Sequence, residues 1–183
     1  MKHVLSIDVG KGNYAICATT FDDSHKFVRV QRLESWCIGD TKATPASGLI
    51  DRLLAKFQQW EYVETPDVVL IEQQMRGAHI NLALAFASYT YFKTRFPNAT
   101  VKFVPPGNKF KFYEKYVTFE DPLLVAELSS VKTPLDYTQR KRYAVKLAEA
   151  ILKETHQPNL GTFTDNKKKM DDIADAFLQS FCF

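Results

Sequence analysis

Several things are scarce in this chain, and each scarcity excludes something. No stretch approaches the roughly 18 unbroken apolar residues of a membrane span. The amino terminus, MKHVLSIDVG, lacks the long apolar core and small-residue cleavage site of a secretory signal, and no Arg- and Ser-rich transit segment precedes it. Cysteine is limited to Cys17, Cys37 and Cys182, odd in number and far apart. That pattern supports neither a disulfide framework nor a zinc site. An intracellular, reducing, cytoplasmic setting is therefore expected, with no membrane association. His3, His25, His79 and His156 are scattered and form no ligand pair. Glycine occurs only 7 times in 183 residues. The turn GKGN (10–13) does not fit the phosphate-cradling loop that ends in Gly-Lys-Ser/Thr. Actin-like and sugar-kinase ATPases also begin with a strand, an acid and glycines, but they need further glycine-rich loops. No nucleotide cofactor is expected. Net charge is only +3, so a whole-protein basic field is absent.

What is present reads as one globular domain, 1–183. Hydrophobic residues make up 45% and charged residues 25% of the chain. Positive charge is local, at Lys109/Lys111/Lys115, at Arg140 to Arg142 and at Lys167 to Lys169. Such runs are commonly solvated surface; several in one small domain also suit an anionic partner. Strands are predicted over 3–9, 14–21 and 26–36, joined by links too short for a parallel crossover. Leu49, Ile50, Leu53, Leu54 and Phe57 have helical spacing. A buried strand, DVVLIEQQ, follows Pro66; a long apolar helix then runs over 78–96, closed by Pro97. TVKFVPP reads as a fifth strand, 137–154 as a helix with a basic start, and the last helix begins near 169. Residues 107–134 carry no clear pattern and read as an elaboration of the same domain. The order β-β-β-α-β-α-β-α-α implies an α/β fold, a mixed sheet with helices on its faces.

Two acids stand where water does not explain them. Asp8 lies in the first apolar strand among Leu5, Ile7 and Val9, and Glu72 closes VVLI. An unpaired buried carboxylate costs several kcal/mol, roughly, so such groups are normally protonated, paired or metal-bound. A single acid at a strand end is commonly a turn or capping residue. Here, if the first and fourth strands are adjacent and parallel, Asp8 and Glu72 face each other at the sheet edge where α/β folds bind ligands. In KKMDDIADAF, the stripe Met170, Ile173, Ala174, Phe177, Leu178, Phe181 leaves Asp172 and Asp175 together on another helix face. Favourable helix-dipole placement of first-turn acids is the plainer account, but Asp175 lies beyond that turn. Carboxylates from all these places meeting at one edge would repel one another, and divalent cations resolve the conflict. Mg2+ takes oxygen ligands and keeps waters for a substrate. Two such ions about 4 Å apart clamp the attacking and leaving oxygens in phosphodiester hydrolysis.

In SIDVGKGNYA (6–15), VLIEQQMR (69–76) and KKMDDIADAF (168–177), and in their order and spacing, the chain resembles the RuvC-type Holliday junction resolvases of the ribonuclease H-like superfamily, and within them the branch of poxviruses and related large DNA viruses. The resemblance implies a ribonuclease H-like five-stranded sheet and a homodimer that nicks opposing strands of a four-way DNA junction. It implies a Mg2+ pair, for which Mn2+ can substitute, held by Asp8, Glu72, Asp172 and Asp175, with Asp171 an adjacent rival to Asp172. It also implies a basic catalytic residue early in the penultimate helix, matched by Lys141, with Arg140 and Arg142 as alternatives. For a viral protein the replication site would be its location. Lys11, Asn13, Arg76, Lys109, Lys111, Arg140 and Arg142 are the candidate nucleic-acid contacts. The aromatics interleaved with lysines in GNKFKFYEKYVTF (107–119) are either stacking platforms for bases or core contacts of a short helix or hairpin. The helix 78–96, apolar nearly all round, is either deeply buried or a dimer seam. Two rival functions share the fold. One is a non-catalytic nucleic-acid-binding module, the other a nuclease acting on RNA–DNA hybrids or linear DNA.

Overall fold

The computed structural model describes residues 1–39, 44–60, 64–129, 136–157 and 170–183. The basic run Lys167 to Lys169 and part of the 107–134 segment lie outside the described residues. Strands β1 (Lys2–Asp8), β2 (Tyr14–Phe21) and β3 (Phe27–Trp36) are followed by helix α1 (Ala46–Gln59), β4 (Val68–Glu72), α2 (His79–Arg95) and β5 (Thr100–Val104). After two short 3-10 turns, Pro106–Phe110 and Tyr113–Lys115, come α3 (Pro122–Ser129), α4 (Tyr137–Glu154) and α5 (Met170–Gln179). The predicted order holds, with α3 added between β5 and α4. Pro122 opens α3, and the Asp121 carboxylate accepts from the Leu123 N–H at 2.9 Å. This is an acid-then-proline helix start that lacks the apolar periodicity by which the other helices are recognised. Helix α4 starts on a capping box: the Asp136 carboxylate accepts from the Gln139 N–H at 2.8 Å, and the Gln139 side chain accepts from the Asp136 N–H at 3.0 Å.

The strands lie in the order β3-β2-β1-β4-β5. The first three pair antiparallel, as their short links require; β1 pairs with β4 and β4 with β5 in parallel. The sheet is thus mixed, as expected. Because successive strand residues point to opposite faces, the sheet has two cores. Leu5, Ile7, Tyr14, Ile16, Val69 and Ile71 face Leu49, Leu53 and Phe57 of α1 and Leu84 and Phe92 of α2. The buried Tyr14 hydroxyl is satisfied by the Ser88 hydroxyl of α2 at 2.7 Å. On the other face, Val4, Ala15, Cys17, Val68 and Leu70 meet Leu147 and Ile151 of α4 and Ile173 and Phe177 of α5. The same alternation puts Ser6, Asp8 and Glu72 on the α5 side.

Helix α5 packs mainly across β1 and β2 and is fastened to β1 and β4 by polar contacts within this apolar layer. The Ser6 hydroxyl donates to the Ala176 carbonyl at 2.6 Å. The Gln179 amide, 3% exposed, donates to the carbonyls of Ile7 at 3.0 Å and Leu70 at 3.2 Å. Gln179 lies beside residues one or two short of the strand ends, and Asp175 is one helical turn earlier in the chain. That turn brings Asp175 to the carboxyl ends of β1 and β4, within electrostatic reach of Asp8.

Candidate metal and nuclease site

The β1–β4 pairing runs from Val4 opposite Val68 to Ile7 opposite Ile71. The next residue on each strand is an acid, so Asp8 and Glu72 emerge side by side on the α5 face. Glu72 and Asp175 both lie close enough to Asp8 to act on it electrostatically. Burial raises the Asp8 carboxyl well above the usual carboxylate range. The neighbouring charges of Glu72 and Asp175 push it the same way, and Lys109 opposes them. Asp175 is raised mainly by burial, with Lys109 offsetting part of the shift. The Gln74 amide donates to the second Glu72 oxygen at 2.9 Å and holds that carboxylate's orientation.

The cation among these acids is Lys109. Its ammonium lies 2.5 Å from Asp175 and 3.5 Å from Glu72, and the residue is 8% exposed. Burial by itself would lower the ammonium's pKa; Asp175, Glu72 and Asp8 outweigh it and raise the value above that of ordinary lysine. A neighbouring polar cluster joins the starts of α4 and α5. Lys141 pairs with Asp171, and Asp172 also acts on that ammonium. Burial disfavours the charged Lys141, but the Asp171 and Tyr137 contacts prevail and raise its pKa.

The structure therefore brings Asp8, Glu72 and Asp175 together, places Asp172 one turn away toward the helix start beside Lys141, and sets Asp171 as Lys141's direct partner. Arg140 and Arg142 are exposed on α4, as are Arg76 after β4 and Lys111 beyond the first 3-10 turn. Lys11 and Asn13 are half-buried in the β1–β2 turn. There the Lys11 N–H donates to the Asn81 side chain at 3.3 Å, and the Lys11 carbonyl accepts from Ile38 and Gly39. Gly10 is required in this turn, because a Cβ at that position would lie 2.6 Å from the Asn13 carbonyl oxygen. Of the aromatics in 107–119, Tyr113 is buried and Phe110 and Tyr116 line the α4–α5 core. Ring pairs join Phe110 to Tyr143 and Tyr116 to Phe181, an arrangement of core contacts. Sequence reasoning missed Ser6, Gln74 and Gln179. Gln179 was signalled by its position, a polar residue four after Asp175 between the apolar Leu178 and Phe181.

The donor chemistry fits a hard divalent cation. All the converging ligand atoms are carboxylate oxygens, without thiol or imidazole, and an ammonium already bridges two of them. Among the described residues, no three or more acidic, histidine or cysteine side chains are arranged as a ready-made metal site. The acids are gathered but not closed around one point.

No protein-family model and no curated protein matches this chain. Solved structures do. The fowlpox virus resolvase in complex with its substrate Holliday junction DNA has a TM-score of 0.60 at 17% identity, over 98% of this chain and 95% of that one. RuvC of Thermus thermophilus has a TM-score of 0.61 at 12% identity, covering 97% of this chain and 92% of its own. The yeast mitochondrial Holliday junction resolvase Ydc2 has a TM-score of 0.61 at 15% identity, over 98% of this chain and 77% of that one. At such identities the likeness is one of fold. The chain has the ribonuclease H-like fold of these resolvases, in agreement with the resemblance carried by its three motifs.

Proposed function

We propose that this chain is a divalent-metal-dependent endodeoxyribonuclease that resolves four-way DNA junctions, as a single nuclease domain working in a homodimer. The observation that carries this reading is the convergence of Asp8, Glu72 and Asp175 at the carboxyl ends of β1 and β4, on a fold shared with proteins that cut Holliday junctions. Asp8, Glu72, Asp175 and Asp172 are the proposed ligands of a Mg2+ pair. When bound, the metal supplies a nucleophile at neutral pH and neutralises charge on the phosphodiester under attack.

The chain's own groups do the rest. Asp8 feels both Glu72 and Asp175 and is the acid common to both halves of the proposed cluster. Gln74 keeps one Glu72 oxygen turned away from random rotation. Lys141, held by Asp171 at the helix start, presents a positive charge toward the phosphate as negative charge develops there. Arg140, Arg142, Arg76, Lys111, Lys11 and Asn13 flank the cluster and contact the DNA backbone, so binding weakens with salt as counterions are recovered. Phe86, 54% exposed on α2, supplies apolar surface for the dimer seam. A two-fold dimer would present two such sites to opposing strands. The free thiols and the absence, among described residues, of a helix able to cross a membrane suit a reducing intracellular setting.

The test compares cleavage of a mobile four-way junction, a linear duplex and an RNA–DNA hybrid with and without Mg2+. Junction cutting by wild type, abolished in Asp172→Asn with junction binding retained, is the expected result. Preferential cutting of the hybrid or the linear duplex would overturn the substrate assignment. Loss of cutting in Asp171→Asn but not in Asp172→Asn would move the ligand assignment to Asp171. One observation favours a second reading, a non-catalytic binding module. The Lys109 ammonium stands where a cation is needed, and a chain that relied on it alone would bind junctions but show no metal uptake.

A further inference from the structure

The position of Lys109 carries more than that alternative. The lysine comes from neither of the strands that present Asp8 and Glu72, nor from the helices α4 and α5. It comes from the 3-10 turn Pro106–Phe110, directly after β5. The pair Pro105-Pro106 ends the strand and fixes the chain's exit direction, and the Asn108 N–H then donates to the Pro105 carbonyl at 3.0 Å. This turn folds back onto α5 and aims a long cationic side chain into the carboxylates. A lysine is rarely so buried unless paired, and here the pairing is with Asp175 and Glu72 simultaneously.

We propose that Lys109 is the resident counter-ion of the metal-free carboxylate cluster, and that it competes with divalent cations for Glu72 and Asp175. This rests on the metal-binding reading above and extends it to a positioning residue. Without metal, buried acids at one sheet edge repel one another, and a tethered ammonium keeps them gathered and folded. When a divalent ion arrives, the same ammonium must draw back from the oxygens the ion takes, because it now occupies the space between Asp175 and Glu72. The flexible four-carbon stem and the exposed Gly107 beside it provide a way out. Lys109 thus weakens metal binding while making the empty site tolerable, so the site is filled only at the higher end of metal concentrations.

The experiment uses the full chain and reads metal binding, not cleavage. Mn2+ and Mg2+ are titrated calorimetrically into wild type and Lys109→Met, and melting is followed in EDTA and in saturating Mg2+. Lys109→Met is expected to bind Mn2+ about tenfold or more tightly, consistent with removing one adjacent like charge. It is also expected to melt lower in EDTA and to recover most of that loss in Mg2+. Equal affinities together with equal metal-induced shifts in melting would overturn the role of Lys109. No metal binding by either protein at millimolar concentration would instead overturn the metal-site reading itself.

A wild-type measurement keeps the idea testable if the variant does not fold. Acylation of individual lysines by an amine reagent is followed by mass spectrometry with and without Mg2+. Lys109 should be protected in EDTA and modified several-fold faster in Mg2+, while Lys111 and Lys56 stay unchanged. An unchanged Lys109 rate at saturating metal would refute displacement.

Discussion

Gln179 offers a direct test of how α5 is held in register with the strand ends. Its side-chain amide donates two hydrogen bonds, to Ile7 and Leu70, from a position almost wholly out of water. Gln179→Met keeps the length and most of the volume, so the cavity contribution is small. What is lost is the pair of bonds. At about 1 kcal/mol net for each buried hydrogen bond, the expected destabilisation is about 2 kcal/mol. For a domain of this size that corresponds to a fall in Tm of about 4–8 °C. Urea denaturation in EDTA should show a lower midpoint with an unchanged slope, since the surface exposed on unfolding is the same. Because Asp175 lies one turn from Gln179 on the same ridge, freeing the helix should also reduce the stabilisation gained on adding Mg2+. A variant within about 1 °C of wild type and with an unchanged response to Mg2+ would show that the apolar stripe alone sets the helix register, and the reasoning would fail.

Other expectations are simpler. Asp8 and Asp175 hold their protons to higher pH in the folded chain than in the unfolded one. The native state therefore binds the extra protons between the ordinary carboxylate range and the raised values, and these groups cost stability as pH rises through that window. In EDTA, Asp8→Asn should melt close to wild type near pH 4 and increasingly above it toward pH 8; a gap that does not grow with pH would contradict the placement of Asp8. Gly10→Ala should lose about 1–3 kcal/mol, as for an overpacked site, because the clash is with backbone, and wild-type stability in that variant would show that the turn can relax. Arg140→Ala should weaken junction binding and flatten the slope of log affinity against log salt by about 1. A slope identical to wild type would remove Arg140 from the interface.

Much of the fold could be read locally. Strand alternation, helical spacing and breakers depend on neighbours a few residues apart, so the elements and their order were legible from residue types alone. So was the oddity of Asp8 and Glu72, since an acid in an apolar run is visible without coordinates. Helix α3 was not, because its start signal, Asp121-Pro122, leads into residues without an amphipathic stripe. Tertiary structure decided what meets what. Parallel pairing of β1 with β4 turned two separate acids into neighbours, and the clamp by Ser6 and Gln179 set the level at which Asp175 joins them. The meeting of the starts of α4 and α5 gave Lys141 to Asp171. Most of all, the backbone turn after β5 carried Lys109 from an apparently solvated basic run into the acidic cluster. Electrostatic partners are chosen by distance in space, and the spacing of residues along a chain does not contain that distance until the sheet has closed.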